Sequence, residues 1–426
     1  MNKNLIAALI GIAFAGVAQA QTASASNNVV LYGIVDGGLR WDRTNVGTLS
    51  SVSGGGASGS RFGVRGTEDL GRGLKANFVL EQGLDISDGT VPQGDATGLT
   101  PTSTRTSNGG RFFGRVATVG LSGAFGNLRI GRDYAPFYNV WSAADPMGTG
   151  SVATTTNISA GNITRFDNGI YYDAPSELFP GFKGSIALRL GESTTNNSAV
   201  VSTGSAAVTV PCTVANVVTT CRVSNIDPAT GLATNANIPA AADNGGNAIS
   251  LGLSYGLGPV YVGYGFNHVK NAVDTGRTQS HTLAATYNAG LAKVHGLYWR
   301  TRDNSPATAS FTPANANSWA LGVTVPFDGF SVMANYGRLD DRSANNFDAR
   351  FWGLGATYPL SRRTDFYAAA ARMNNRGGSH YLISDASNAG LQTSTSASAA
   401  VPGVFAGNVP GGFSPSSFQV GVRHRF

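Results

Sequence analysis

The residues of this chain that could act on another molecule are cations. Arg61, Arg115 and Arg165 fall on the polar side of segments that alternate apolar and polar residues, and Arg65, Lys75, Arg111 and Lys183 share that side. Cations gathered on one wall work through their field and make no bonds. Between low-dielectric walls they raise the local concentration of anions. For any one of them the plain alternative is a solvated charge without a special role. Residues suited to covalent or metal chemistry are dispersed. The five histidines stand at 268, 281, 295, 380 and 424, and no H-E-x-x-H, P-loop or G-x-S-x-G occurs. Gly54 to Gly56 is followed by no helix and reads as a loop tip. Cys212 and Cys221 have no third ligand nearby, so a metal is a poor reading. In an oxidising compartment they would close one small disulfide loop. No metal and no cofactor is implied, and no enzyme.

Something must hold those cations on a common wall, and the sequence supplies short strands. Runs of period two, bounded by turn residues, are expected at Val29–Trp41, Arg61–Gly66, Leu74–Leu84, Arg111–Leu121, Leu128–Arg132, Arg165–Asp173, Phe182–Gly191 and Ala248–Tyr255. They continue at Pro259–Val269, Gln279–Tyr287, Leu291–Arg300, Asn317–Val325, Phe330–Gly337, Ala349–Tyr358, Asp365–Met373 and Ser417–Phe426. The last run puts Phe418, Val420, Val422 and Phe426 on one face and Gln419, Arg423 and Arg425 on the other. Seven connections are short turns. The other eight are longer and include 42–60, 85–110, 133–164, 192–247, 301–316 and 374–416. An even number of strands with short turns at one end and long loops at the other is the pattern of a transmembrane β-barrel. Tyr and Trp residues cluster near strand ends, as interfacial girdles require. A secreted sandwich would show the same alternation strand by strand. It would not need the long-short alternation, and it would leave edges that closure removes.

The ends and composition agree. Lys3, the apolar run Leu5–Val17 and Ala18-Gln19-Ala20 predict a signal peptide over residues 1–20, leaving residues 21–426 as one barrel domain. Only 13% of residues are charged, about half the usual share. The net charge of +6 is spread along the chain, which argues against nucleic-acid binding, where a contiguous basic patch is needed.

The chain resembles the Gram-negative general diffusion porins, of the trimeric sixteen-stranded kind and the β-proteobacterial, anion-selective branch. The resemblance rests on Val30–Gly38, Ser60–Gly71, Val119–Gly123 with Phe125-Gly126, Gly131–Tyr134, Tyr172–Pro175, Leu360–Tyr367 and Val420–Phe426, an ordered set spanning most of the chain. It implies a homotrimer in the outer membrane, in contact with lipid and lipopolysaccharide, passing small hydrophilic solutes. Phe426 would be part of the signal read by the barrel-assembly machinery. The third long connection, 133–164, would fold into the barrel as a constriction. There Arg61, Arg115 and Arg165 match an arginine ladder, Glu81 a wall acid and Asp145 a loop acid, with Tyr134 and Tyr138 at the start of the loop. The family's Pro-Glu-Phe-Gly loop motif is Pro146-Met147-Gly148-Thr149 here, so a loop glutamate is missing and a net positive constriction is expected.

Two other functions are open. A substrate-specific channel for phosphate or organic acids would use an ordered basic cluster with aromatic rails such as Tyr134, Tyr138 and Trp141. An adhesin would act through the long connections 192–247 and 374–416.

Overall fold

The computed structural model describes residues 28–44, 47–91, 112–160, 163–177, 179–191, 246–270, 276–304, 315–344, 346–385 and 412–426. It describes the backbone alone of 208–214, 217–223 and 392–393. The expected signal peptide and Arg111 lie outside these residues.

Sixteen strands form the wall: β1 (Asn28–Thr44), β2 (Arg61–Gly71), β3 (Leu74–Gly83), β4 (Val116–Gly123), β5 (Gly126–Tyr134), β6 (Arg165–Asp173), β7 (Phe182–Arg189) and β8 (Ala248–Leu257) come first. Then follow β9 (Val260–Lys270), β10 (Arg277–Asn288), β11 (Lys293–Asp303), β12 (Asn315–Phe327), β13 (Phe330–Asp341), β14 (Ala349–Pro359), β15 (Thr364–Asn375) and β16 (Ser416–Arg425). Each pairs antiparallel with the next, and β16 pairs with β1 from Ile34↔Arg425 to Arg43↔Ser416, which closes the barrel. Closure leaves no unpaired edge.

The alternation read from the sequence sets the two faces. Val29, Leu31, Val35 and Leu39 are exposed along β1, while Asp36 between them is fully buried. Leu283, Leu321, Leu354, Phe418 and Val422 are exposed in the same way. Apolar residues thus point away from the barrel and polar ones inward, the arrangement of a barrel bathed in hydrocarbon. Tyr255, Tyr287, Tyr298, Trp319, Trp352 and Tyr358 are exposed on the outer face, where interfacial girdles place amphipathic rings.

Several expectations are corrected. Residues 47–53, expected within a loop, form a strand that pairs with the end of β1 from Gly38↔Ser53 to Thr44↔Gly47. The strand expected from Arg111 begins at Val116. The long connection after β7 carries a hairpin, Val208–Val214 against Val217–Val223, with Cys212 opposite Thr219 and Cys221 opposite Val210. The cysteine side chains lie outside the described residues. The connection 271–276, at the long-loop end, is no longer than some turns at the other end, so the alternation in length is not strict.

Two segments leave the wall and pack against residues of its inner parity. Residues 54–60 depart between the two stretches paired to β1, opening a gap in the ladder at Asp36. The Asp36 carboxylate fills it, accepting from the backbone N–H of Gly56, Ala57 and Ser58 at 2.6–3.1 Å and from the Tyr367 hydroxyl at 2.7 Å. Buried backbone donors need such partners. Residues 135–160 contain helix α1 (Pro136–Ser142) and a 3-10 turn (Thr155–Ile158). Phe137, Val140 and Trp141 pack with Ala284, Leu297 and Trp299, which lie on the inner parity of β10 and β11. Each ring buried this way contributes about 2 kcal/mol. Strand glycines make room: a Cβ on Gly353 would come within 2.7 Å of the Ala153 carbonyl oxygen, and one on Gly252 within 2.7 Å of that of Pro136.

Candidate functional site

Adjacent strands bring the predicted cations together. Arg61 opens β2, Glu81 lies near the end of β3 opposite Gly63, and Arg115 directly precedes Val116, the residue opposite Glu81. Arg165 opens β6 opposite Tyr134 at the end of β5. All five strands, β2 to β6, present these residues at the same end, so their side chains converge.

One carboxylate and two tyrosines order the group. Arg115 Nε donates to Glu81 Oε1 at 2.6 Å, Arg61 Nε stands 3.7 Å from Glu81 Oε2, and the Tyr32 hydroxyl donates to Oε2 at 3.0 Å. Arg115 Nη2 donates to the Tyr134 hydroxyl at 2.6 Å, and Arg165 Nη2 donates to the same oxygen. The Arg165 guanidinium also lies over the Tyr134 ring, 4.0 Å from its centroid, a cation–π contact. Tyr134 stacks on Tyr138 with centroids 5.1 Å apart, Tyr138 meets Trp141 and Trp141 meets Trp299. The Arg115 side chain is 8% exposed and that of Arg61 is 24% exposed. Arg61 therefore meets solvent, while Arg115 is sheathed by Glu81 and Tyr134. Arg61 and Arg115 share the Glu81 carboxylate and Arg165 joins them through Tyr134, which leaves the cluster positive.

Asp145 is not among these residues. Its Oδ1 accepts from Met147 N–H at 2.9 Å, and its Oδ2 from the Thr154 hydroxyl at 2.6 Å and Thr155 N–H at 3.2 Å. Burial pushes its carboxyl up from the ordinary value, and these donors pull it back. Asp145 ties residues 145–155 to one another instead of facing the arginines. Tyr138 likewise turns its hydroxyl to Thr149 Oγ1 at 3.1 Å.

Other residues of the inner face were not foreseen. His295, read as an ordinary strand residue, donates from Nδ1 to the Ala144 carbonyl at 3.0 Å and places Nε2 3.1 Å from Thr324 Oγ1. Residues after β15 return to the same segment: Ser384 donates from its backbone and hydroxyl to Asn157 Oδ1, and Asp385 pairs with Arg40 at 3.0 Å. Gln419 Oε1 accepts from Val152 N–H at 3.4 Å. The inward parity of Arg40 and Gln419 was legible, but their partners, hundreds of residues away, were not. Among the described residues no cluster of His, Cys, Asp and Glu could hold a metal ion.

Comparison with known proteins agrees with this architecture. The model of the Gram-negative porin family matches residues 6–378. Outer membrane porin protein 32 of Delftia acidovorans is 31% identical over the whole length of both chains. An outer membrane porin protein of Bordetella pertussis is 29% identical, over 88% of this chain and 95% of its own. Among solved structures, the anion-selective porin from Comamonas acidovorans is 28% identical and superposes on 94% of this chain and 100% of its own with a TM-score of 0.67. OmpT of Vibrio cholerae has a TM-score of 0.58 at 12% identity and shares the fold. With a closed sixteen-stranded wall, apolar outside and polar within, the chain belongs to the Gram-negative porin family, the channels of the outer membrane.

Proposed function

We propose that the protein is a general diffusion porin whose water-filled lumen passes small hydrophilic solutes and ions and favours anions. The observation that carries the sign is the gathering of Arg61 and Arg115 on the carboxylate of Glu81 and of Arg165 on the Tyr134 hydroxyl that Arg115 also reaches, with Asp145 turned away into its own loop. Residues 135–160, packed on the inner parity of the wall, are the constriction opposite this cluster. A guanidinium about 8 Å from a passing ion, at an effective dielectric of about 40, contributes about 1 kcal/mol, roughly fivefold in local concentration. Salt of about 0.1 M screens over about 10 Å and reduces this. The anion selectivity in the name of the Comamonas acidovorans porin supports the same sign. A homotrimer, assembly through the terminal Phe426, and the absence of any enzymatic step complete the reading.

The test is substitution. Arg61→Ser should lower the chloride-to-potassium permeability ratio by roughly threefold, and Arg115→Ser should lower it less, since Arg115 is sheathed. Zero-current potentials in planar bilayers read both. An Arg61→Ser channel with the wild-type potential would sink the proposal.

A substrate-specific channel is the second reading. It is favoured by the stacked series Tyr134, Tyr138 and Trp141 beside Arg165. Saturable, concentration-dependent block of single-channel current by phosphate or a small dicarboxylate would select it.

A further inference from the structure

Asp36 stands at odds with an anion-favouring lumen. It is an acid, lies on the inner parity of β1 and is fully buried. Its Oδ1 accepts from Gly56 N–H and the Tyr367 hydroxyl, and its Oδ2 from Ala57 and Ser58 N–H. Every one of these bonds is accepted, as a carboxylate requires, and three successive backbone donors make a nest for its charge. The far end of the same turn is tied as well. Ser60 Oγ accepts from Asp36 N–H and donates to the Asp36 carbonyl, both at 2.9 Å.

The turn held in this way is Gly54-Gly55-Gly56-Ala57-Ser58-Gly59-Ser60, and its glycines give it little conformational preference of its own. It is wedged between the wall and the 135–160 segment. A Cβ on Gly56 would come within 2.1 Å of the Tyr367 hydroxyl and 2.4 Å of Gln419 Nε2, and one on Gly150 within 1.8 Å of the Ala57 carbonyl oxygen. Ser58 and Gly59 are its half-exposed residues. Ser58 Oγ accepts from Arg423 Nη1 at 2.8 Å, and the Gly59 carbonyl accepts from Arg61 Nη1 at 3.1 Å. Arg61 is the cation of the cluster that meets solvent, and its Nε stands 3.7 Å from Glu81. Among the described residues the bond to Gly59 is the one hydrogen bond that its guanidinium donates.

We propose that Asp36 is a positioning residue for anion selectivity. Through Gly56, Ala57, Ser58 and Ser60 it fixes the glycine-rich turn as a second wall of the constriction, and the turn holds the Arg61 guanidinium beside the path of the ion. This role rests on the anion-favouring reading of the lumen. It gives Asp36 an effect opposite in sign to that of its own charge. An acid acting by its field alone repels anions, so its removal would raise the anion-to-cation permeability ratio. Removal of a positioning acid lowers the ratio. Moving a guanidinium from about 8 to about 12 Å from the ion, at an effective dielectric of about 40, reduces its enrichment of anions by about twofold.

The test uses the full-length channel in planar bilayers, with zero-current potentials read in a potassium chloride gradient. Asp36→Asn keeps the shape of the side chain but turns an amide donor toward the donors of the turn. Ser60→Ala breaks the second tie and changes no charge. Each should lower the chloride-to-potassium permeability ratio by roughly twofold. In the Arg61→Ser background neither should lower it further, because the effect passes through Arg61. A barrel that is merely loosened would shift the ratio alike in both backgrounds. An unchanged or raised ratio in Asp36→Asn or in Ser60→Ala overturns the proposal, as does an equal fall in the Arg61→Ser background. Where Asp36→Asn fails to assemble, judged by heat-modifiable migration, Ser60→Ala decides. A wild-type channel without anion preference contradicts the reading of the lumen, while the coupling of Asp36 to Arg61 is still read from the differences among the variants.

Discussion

Glu81, on the wall, and Asp145, in the 135–160 segment, are both buried carboxylates, yet they act on different things. Glu81 lies among guanidinium groups, with Arg115 at 2.6 Å and Arg61 at 3.7 Å. Asp145 closes hydrogen bonds within its own segment. Glu81→Gln should therefore raise the anion-to-cation permeability ratio by a few fold, because it removes the one negative charge from the cluster. Asp145→Asn should leave that ratio unchanged and increase open-channel noise, since an amide cannot accept from all three donors. Zero-current potential and current variance separate the two effects, and a selectivity change in Asp145→Asn would contradict the assignment. Parity alone placed the arginines on the inner face, because alternation is local. It could not distinguish a wall acid from a loop brace. The difference depends on Thr154 and Thr155 folding back nine and ten residues later, which no strand period encodes.

At the scale of elements, the strands were legible and the inner segments were not. Alternating residues such as Val29, Leu31, Val35 and Leu39 carry a period of two whatever they pack against. The strand Gly47–Ser53 was hidden because Ser, Gly and Thr dominate it and its outward residues are few. Its ladder with β1 does the ordering. Residues 135–160 carry no strand period, and beyond the short helix their side chains are mostly small. Their position comes from complementary gaps in the wall, such as Gly252 under Pro136 and Gly353 under Ala153. Gly353→Val should displace the segment around Ala153 from its seat on the wall and lower single-channel conductance, because the Ala153 carbonyl oxygen lies 2.7 Å from the position of a Cβ there. Normal conductance in a folded Gly353→Val channel would contradict this seating.

For the whole molecule, closure is the decisive event, and Phe426 takes part in it. Its backbone N–H donates to the Gly33 carbonyl and its carbonyl accepts from Gly33 N–H, both at 3.1 Å. Its ring lies over Gly33, where a Cβ would come within 2.3 Å of the ring. Deleting Phe426 should reduce the yield of membrane-assembled barrels several-fold, measured by heat-modifiable migration, while channels that do assemble conduct normally. Full yield without Phe426 would contradict its role in assembly. The strand count and the closing pair were readable from the chain because each strand announces itself locally. The buried ties Asp36–Tyr367 and Asn157–Ser384 were not, because they join residues 331 and 227 positions apart. What the barrel is for depends on the sign of the field in its lumen. The most direct measurement is the zero-current potential of the wild-type channel across a planar bilayer in a potassium chloride gradient. The positive arginine cluster predicts a potential displaced toward the chloride equilibrium potential, and a potential at zero or toward that of potassium would contradict it.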